Sequence, residues 1–154
     1  MPRPIPIHQE MVYYNAVWMK EVEHAMFRRL GVLANYGVWV PGWHDQNKVV
    51  LRTRVRTLLY AIYDEVNIPE EEVEQKYEEW HERYNNFKWL LSRRGVRHDE
   101  NLNFVFASDA SWETFVQERP AVAAYMLKGE CNWHDLRPLF ESLEDSPDSG
   151  VESE

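Results

Sequence analysis

Apolar side chains recur at helical spacing along much of this chain, and they predict two helices in its first half. One is expected from about Met11 to Leu33 and the next from about Gln46 to Val66. The first stripe comprises Trp18, Val22, Ala25, Met26, Leu30 and Leu33, and the second comprises Leu51, Val55, Leu58, Ile62 and Val66. Between them, Gly37, Pro41 and Gly42 indicate a loop.

The third helix has the clearest pattern. Its apolar residues follow one another at steps of four and three, which keeps them on one helical face. They are Val73, Tyr77, Trp80, Tyr84, Phe87 and Leu91. Pro69 suits the entry to this helix and Gly95 its end, while the acids of Glu70–Glu72 suit its positive N-terminal end. Because it lies within the stripe, Trp80 is expected in the core.

The C-terminal third predicts shorter elements. His98–Ala107 alternates weakly between apolar and polar residues, which fits a short hairpin or an ordered loop. Ser108 or Asp109 is expected to cap a helix that Pro120 closes. That helix carries Trp112, Phe115 and Val116, and a last helix around His134–Leu143 carries Leu136, Leu139, Phe140 and Leu143.

These elements predict one domain over residues 11–143. Three prolines favour an extended segment over residues 1–10, and the polar, acidic composition of residues 144–154 predicts a disordered tail. With 154 residues, 44% of them hydrophobic, the chain can bury a sizeable core. Its single cysteine excludes an internal disulfide and fits a reducing compartment. No apolar run reaches the length of a membrane helix, and we expect a cytosolic or nuclear protein.

Sequence motifs for catalysis are absent. There is no phosphate-binding glycine loop, no HExxH and no nucleophile elbow. Cys131 and His134 stand three residues apart and could supply two metal ligands, but nothing nearby completes the usual four. We therefore expect no enzyme, no catalytic residue, no metal, no cofactor and no small-molecule substrate.

Several segments, read in order, resemble plant-type Myb/SANT-like domains over about residues 14–141. Trp18 in the first helix and Trp80 in the third match the core tryptophans of Myb and SANT repeats. The further matching segments are 76–80 (KYEEW), 84–91 (YNNFKWLL), 95–100 (GVRHDE), 107–109 (ASD), 112–113 (WE), 119–121 (RPA), 133–136 (WHDL) and 139–140 (LF). The chain departs from the family in having His98, where a Trp commonly precedes the Asp.

The resemblance implies an all-α fold, with a three-helix Myb/SANT-like core of helix-turn-helix type, a long third helix and a short helical C-terminal extension. Members of the family resemble the DNA-binding partner proteins of Harbinger-type transposons, and some domesticated members act with transposase-derived proteins in chromatin-modifying complexes. The resemblance therefore implies a nuclear, non-catalytic module that bridges protein partners. The alternative is a Myb-type DNA-binding domain that acts in transcription or serves a transposon.

Charge along the chain favours the protein-binding interpretation. Residues 64–154 carry nine basic against twenty-two acidic residues, and the whole chain has a net charge of −9. The third helix would enter the major groove in a DNA-reading Myb repeat, but here Glu70, Glu74, Glu78 and Glu82 form an i, i+4 row that phosphates would repel. Only Glu72–Lys76 and Glu79–Arg83 place opposite charges at that spacing. The row is either a solvated face or a docking surface for a partner with a basic segment, and we expect DNA binding to be weak or indirect.

Two further sets of residues are candidate binding surfaces. Trp39, Trp43 and Trp89 lie in a Gly/Pro loop or off the helical stripe, so they either anchor a partner or fold back onto the core. If DNA is bound, the basic residues would contact phosphates without reading bases, and otherwise they are a solvated flank. These basic residues are Lys48, Arg52, Arg54, Arg56, Arg93, Arg94 and Arg97.

Overall fold

The chain is predominantly helical, as its hydrophobic pattern predicts, and the described residues include a small antiparallel sheet. The computed structural model describes residues 3–15, 18–42, 44–51, 53 and 70–141. The helices are α1 (Gln9–Tyr13), α2 (Lys20–Asn35), α3 (Asp45–Val50), α4 (Glu70–Leu91), α5 (Asp109–Glu118), a 3-10 helix (Pro120–Tyr125) and α6 (Trp133–Phe140). The strands are β1 (Arg97–Asp99) and β2 (Phe104–Phe106), with Arg97 opposite Phe106.

The described residues fall into two compact units. The first takes the described part of Met1–Ala16 together with Glu82–Trp133, and the second takes the described parts of Val17–His81 and His134–Glu154. Helix α4 contributes its first half to the second unit and its second half to the first. The predicted domain limits at residues 10 and 143 stay predictions.

The predicted first helix is wrong as one element, because it is divided into α1 and α2. Tyr14, which follows α1, has extended backbone angles of −125° and 151°. Its hydroxyl meets Asn132 Nδ2 at 3.1 Å within the first unit, whereas α2 belongs to the second unit. The chain thus leaves the helical conformation at Tyr14, in the first unit, and α2 begins at Lys20, in the second. Trp18 precedes α2 but is buried, as predicted.

The core of the second unit is built on α2 and the first half of α4. Trp80 is fully buried, stacks on Phe27 at 4.1 Å, and donates its indole N–H to Glu23 Oε2 at 2.7 Å. The predicted stripe of α2 is confirmed in Val22, Ala25, Met26, Leu30 and Leu33, all of which are buried. The predicted second helix begins at Asp45, and its course beyond residue 53 lies outside the described residues.

The core of the first unit includes the buried face of the second half of α4. Its core contains Phe87, Leu90, Val105, Trp112, Phe115, Val122, Ala123, Ala124, Tyr125 and Met126. The prediction was wrong about the end of the α4 stripe, because Leu90 is fully buried while Leu91 is only half-buried against the same core. In the last turn of α4, the residue that faces the core is therefore Leu90 rather than the predicted Leu91.

Most predicted element ends in this unit are confirmed. Gly95 follows α4 with a φ of +83°, which a glycine adopts without a steric penalty. Ser108 caps α5, since its side chain accepts a hydrogen bond from the Ser111 N–H at 3.1 Å. The alternation over His98–Ala107 is a β-hairpin. The 3-10 helix was not predicted, although Pro120 begins it in the position that proline favours.

The N-terminal segment is fastened to the first unit through Gln9. Its buried amide nitrogen lies 2.8–3.0 Å from the carbonyl oxygens of Ala124, Lys128 and Gly129, and its amide oxygen accepts the Cys131 N–H at 3.0 Å. The Ile7 N–H also donates to Ala123 O at 3.0 Å. The prolines keep residues 3–8 out of a helix, as predicted, and Gln9 determines where the segment docks.

Candidate functional site

Two cations of α4, Lys76 and Arg83, are buried, whereas Lys88 in its last turn is exposed. In the second unit, Lys76 is only 4% exposed, and its ammonium lies 3.0 Å from Glu79 Oε1 and 3.9 Å from the buried Glu23. It also lies 5.3 Å from the centre of the Trp18 ring. The expected Lys76–Glu72 pairing is therefore corrected: Lys76 pairs with Glu79 and is drawn into the core by Glu23.

Arg83 is the second inward cation. It is 3% exposed in the first unit and pairs with Glu130, while the expected pairing of Arg83 with Glu79 stays a prediction. Its guanidinium lies 3.9 Å from the centre of the Tyr13 ring. Water does not screen a buried carboxylate, so Glu130 holds the guanidinium strongly.

Glu130 is the centre of a buried polar network. Besides Arg83, its carboxylate accepts the Tyr125 hydroxyl at 3.0 Å and the Asn132 N–H at 2.9 Å, and Tyr13 meets Tyr125 at 3.1 Å. Burial alone would raise the pKa of Glu130, but the charge of Arg83 and these hydrogen bonds hold that pKa below its ordinary value. Burial and the nearby Glu130 charge raise the pKa of both tyrosines. The network is therefore an ionised pair with neutral phenols around it.

The exposed side of α4 is acidic. Glu78 and Glu82 of the predicted row are exposed and Glu74 is half-buried, while the Glu70 side chain lies outside the described residues. Glu71, which is not in the predicted row, is also exposed. Because Lys76 is buried, the exposed residues of α4 between 71 and 82 include no Lys or Arg.

Trp39 does not lie on the surface, so the expectation that it anchors a partner is corrected. It is 1% exposed, its indole N–H donates to Leu139 O at 3.3 Å, and its ring meets Tyr77 edge-on. Buried Asn47, which the sequence analysis missed, holds this loop by pairing with both backbone groups of Val40. The loop therefore folds onto the core, which is the alternative considered for it. Trp43 lies outside the described residues.

Trp89 is half-buried, and two arginine guanidiniums lie close to its ring. Its ring meets Phe115 edge-on at 6.0 Å in the first unit, and the guanidinium carbons of Arg93 and Arg119 lie 4.7 Å and 4.8 Å from the ring centre. Among the residues that the structure describes, no carboxylate lies within ion-pairing distance of either guanidinium. These three residues are called the Trp89 clamp below.

The hairpin presents a second arginine–aromatic pair. Arg97 lies 4.3 Å from the centre of the exposed Phe106 ring, and Phe104 meets Phe106 at 4.7 Å. Arg97 is among the basic residues expected from the sequence, whereas Phe106 and Arg119 were not predicted. The alternation of Phe104 and Phe106 in the sequence could have indicated that the Phe106 ring faces solvent. No pattern near Arg119 in the sequence indicates that it lies beside Trp89.

The other predicted basic residues divide between the described and undescribed parts of the chain. Lys48 is half-buried on α3, and Arg94 is exposed after α4. Arg52, Arg54 and Arg56 lie outside the described residues, so the proposed stripe on the second helix stays a prediction.

Among the described residues, no group of three or more His, Cys, Asp or Glu side chains is arranged to hold a metal ion. Cys131 lies 3.5 Å from the Tyr14 hydroxyl and 3.6 Å from Glu130, within the polar network. No described helix is both long and apolar enough to cross a bilayer.

Comparisons with known proteins give no match: no family model fits the chain, and neither the curated proteins nor the solved structures contain a significant relative.

Proposed function

We propose that this chain is a non-catalytic interaction module of Myb/SANT-like type that binds a basic segment of a protein partner through the exposed acidic side of α4. In this proposal it acts in the nucleus, where it bridges partners in a chromatin or transposase-derived complex. The resemblance of residues 14–141 to Myb/SANT-like domains supports the class and the compartment.

The inward direction of Lys76 and Arg83 is the observation that carries the proposal. Both cations are buried in ion pairs, so the exposed side of α4 from Glu71 to Glu82 is more acidic than the sequence alone implies. The exposed carboxylates of Glu71, Glu78 and Glu82 attract a Lys- or Arg-rich segment and speed its association. They also repel the phosphates of a DNA groove.

The basic-partner proposal is tested with a synthetic Lys/Arg-rich peptide and two charge-matched variants. Glu78→Gln/Glu82→Gln removes two charges from α4, and Glu100→Gln/Glu118→Gln removes two exposed charges of the first unit that lie outside α4. We expect the α4 variant to slow peptide association severalfold and the matched variant to change it little. Equal association rates for both variants would reject α4 as the docking surface.

DNA binding is the second candidate, and the exposed Arg94 and Arg97 with the half-buried Arg93 favour it. A gel shift at about 0.15 M salt with random and genomic DNA separates the candidates, because electrostatic binding is screened at that concentration. The protein-binding proposal expects only weak, sequence-independent binding. A nanomolar complex with one DNA sequence would replace it with the DNA-binding function.

A further inference from the structure

The Trp89 clamp is organised before any ligand binds. Arg93 donates its Nε–H to Trp89 O at 3.2 Å and its Nη2–H to Ser92 Oγ at 3.0 Å. Arg119 donates from Nη1 to Asn86 Oδ1 at 3.2 Å. Because both guanidiniums also stack on Trp89, they lose little conformational freedom on binding an anion.

Most hydrogen-bond donors of the clamp are still available. A guanidinium has five N–H donors, and the contacts above use two in Arg93 and one in Arg119. No described carboxylate pairs with either residue. The clamp therefore combines two positive charges, spare donors in planar forks and a fixed geometry, which are the requirements for binding an oxyanion.

We propose that Arg93, Trp89 and Arg119 bind a phosphorylated serine or threonine in a short segment of a protein partner. This deepens the proposed interaction role by giving the bridging module a second site, with a partner of opposite charge to the one expected at α4. A phosphate group carries about −1.5 to −2 charges and three acceptor oxygens, so it matches two guanidiniums better than a single carboxylate does.

Charge around the clamp favours a short phosphorylated segment over nucleic acid. The chain has a net charge of −9, and Glu82, Glu100 and Glu118 are exposed in the same unit. A long polyanion carries a charge at every nucleotide and is repelled by this field over many positions. A segment with one phosphate places its charge at the clamp alone.

The test titrates the ¹⁵N-labelled chain of 154 residues with a peptide pool that has a fixed central phosphothreonine and randomised flanking residues. An identical pool with threonine and a random single-stranded oligonucleotide are titrated in parallel at about 0.15 M salt. We expect the phosphorylated pool to bind at least tenfold more tightly than the threonine pool and to shift the Nε–H resonances of Arg93 and Arg119. Equal affinity of the two pools overturns the proposal.

Variants then separate the clamp from general positive charge. Arg93→Gln and Arg119→Gln are each expected to weaken phosphopeptide binding about tenfold, as the loss of a charge-assisted hydrogen bond would. Arg94→Gln is the matched control, because Arg94 is exposed and makes none of the clamp's contacts, and less than about threefold is expected from its charge. If Arg94→Gln weakens phosphopeptide binding as much as the clamp variants do, the proposal is wrong. The peptide would then be attracted by the general positive charge of this region.

Two outcomes keep this proposal distinct from others. If the oligonucleotide binds more tightly than the phosphorylated pool and depends on Arg93 and Arg119, the clamp is a nucleic-acid site and the phosphopeptide proposal is wrong. The basic peptide that tests α4 should bind Arg93→Gln/Arg119→Gln as it binds wild type. Failure of that peptide to bind wild type would remove the function proposed for α4 and leave the clamp result standing.

Discussion

Arg83 and Glu130 form a buried bidentate ion pair, with Arg83 Nε 3.0 Å from Glu130 Oε1 and Nη2 2.8 Å from Oε2. The two residues are distant in the sequence, so this pair connects the second half of α4 to the segment before α6. The Tyr125 hydroxyl and the Asn132 N–H donate further hydrogen bonds to the Glu130 carboxylate. A buried carboxylate is stable in the ionised state only while such partners are present.

Arg83→Met should destabilise the protein by about 3–5 kcal/mol, because it leaves Glu130 buried without its cation. The free energy of unfolding is measured by urea denaturation, with Arg94→Met as the control because Arg94 is exposed. The double variant Arg83→Met/Glu130→Leu should recover part of the loss, since no charge is then buried. A loss below about 1 kcal/mol in Arg83→Met would contradict the pairing.

Acid should weaken the wild-type fold through Glu130. Its pKa is lowered in the folded state from an ordinary value of 4.5. The stabilisation is therefore complete above that value and is lost as the pH falls through the folded pKa. Unfolding free energies measured between pH 7 and pH 2 should fall more steeply for wild type than for Glu130→Gln, which has no proton to take up at this position. Parallel curves for the two proteins would show that Glu130 does not couple folding to pH.

Trp80→Ala should cost about 3–5 kcal/mol, because it removes a fully buried indole that stacks on Phe27 and donates a hydrogen bond to the buried Glu23. Tyr36→Ala is the matched control, since Tyr36 is 80% exposed. Thermal melting should separate the two variants by many degrees. A Trp80→Ala protein that melts within about 2 °C of wild type would show that this position is not in the core.

Periodicity predicted the buried faces of α2 and α4 because each is long enough to show several turns of one pattern. Val22, Leu30, Val73 and Trp80 are all buried as expected. The break between α1 and α2 could not be found in this way. It depends on where Tyr14 hydrogen-bonds in the folded chain, and no local pattern encodes that contact.

The candidate surfaces were harder to predict because long-range pairing decides which charges face solvent. Lys76 and Arg83 stand at ideal spacing for exposed neighbours, yet Glu23 and Glu130 draw them inward. The position of Trp89 off the stripe indicated its partial exposure correctly. Its flanking Arg119 comes from a segment thirty residues later, so only the folded chain brings them together.

Gln9→Ala should loosen the N-terminal segment, at a cost of about 1–3 kcal/mol, because several buried backbone groups lose their partner. Hydrogen exchange is the direct measurement: the Ile7 N–H, which donates to Ala123 O, should exchange much faster in the variant. Met11→Ala is the control, since Met11 is 79% exposed on the same short helix. Unchanged protection at Ile7 would mean that the prolines and Ile7, rather than Gln9, hold the segment.

Glu78→Gln/Glu82→Gln should leave folding intact and make binding to the basic peptide less sensitive to salt. The two glutamates are one turn apart and both exposed, so their mutual repulsion costs about 0.2–0.5 kcal/mol in the folded state. The variant should therefore unfold at the same urea concentration as wild type or slightly above it. Association rates measured from about 0.05 to 0.5 M salt should fall steeply for wild type and more gently for the variant, because screening acts only on charges that are present. Should both proteins show the same salt dependence, the carboxylates are a solvated face, and the docking surface would have to be sought around Trp89.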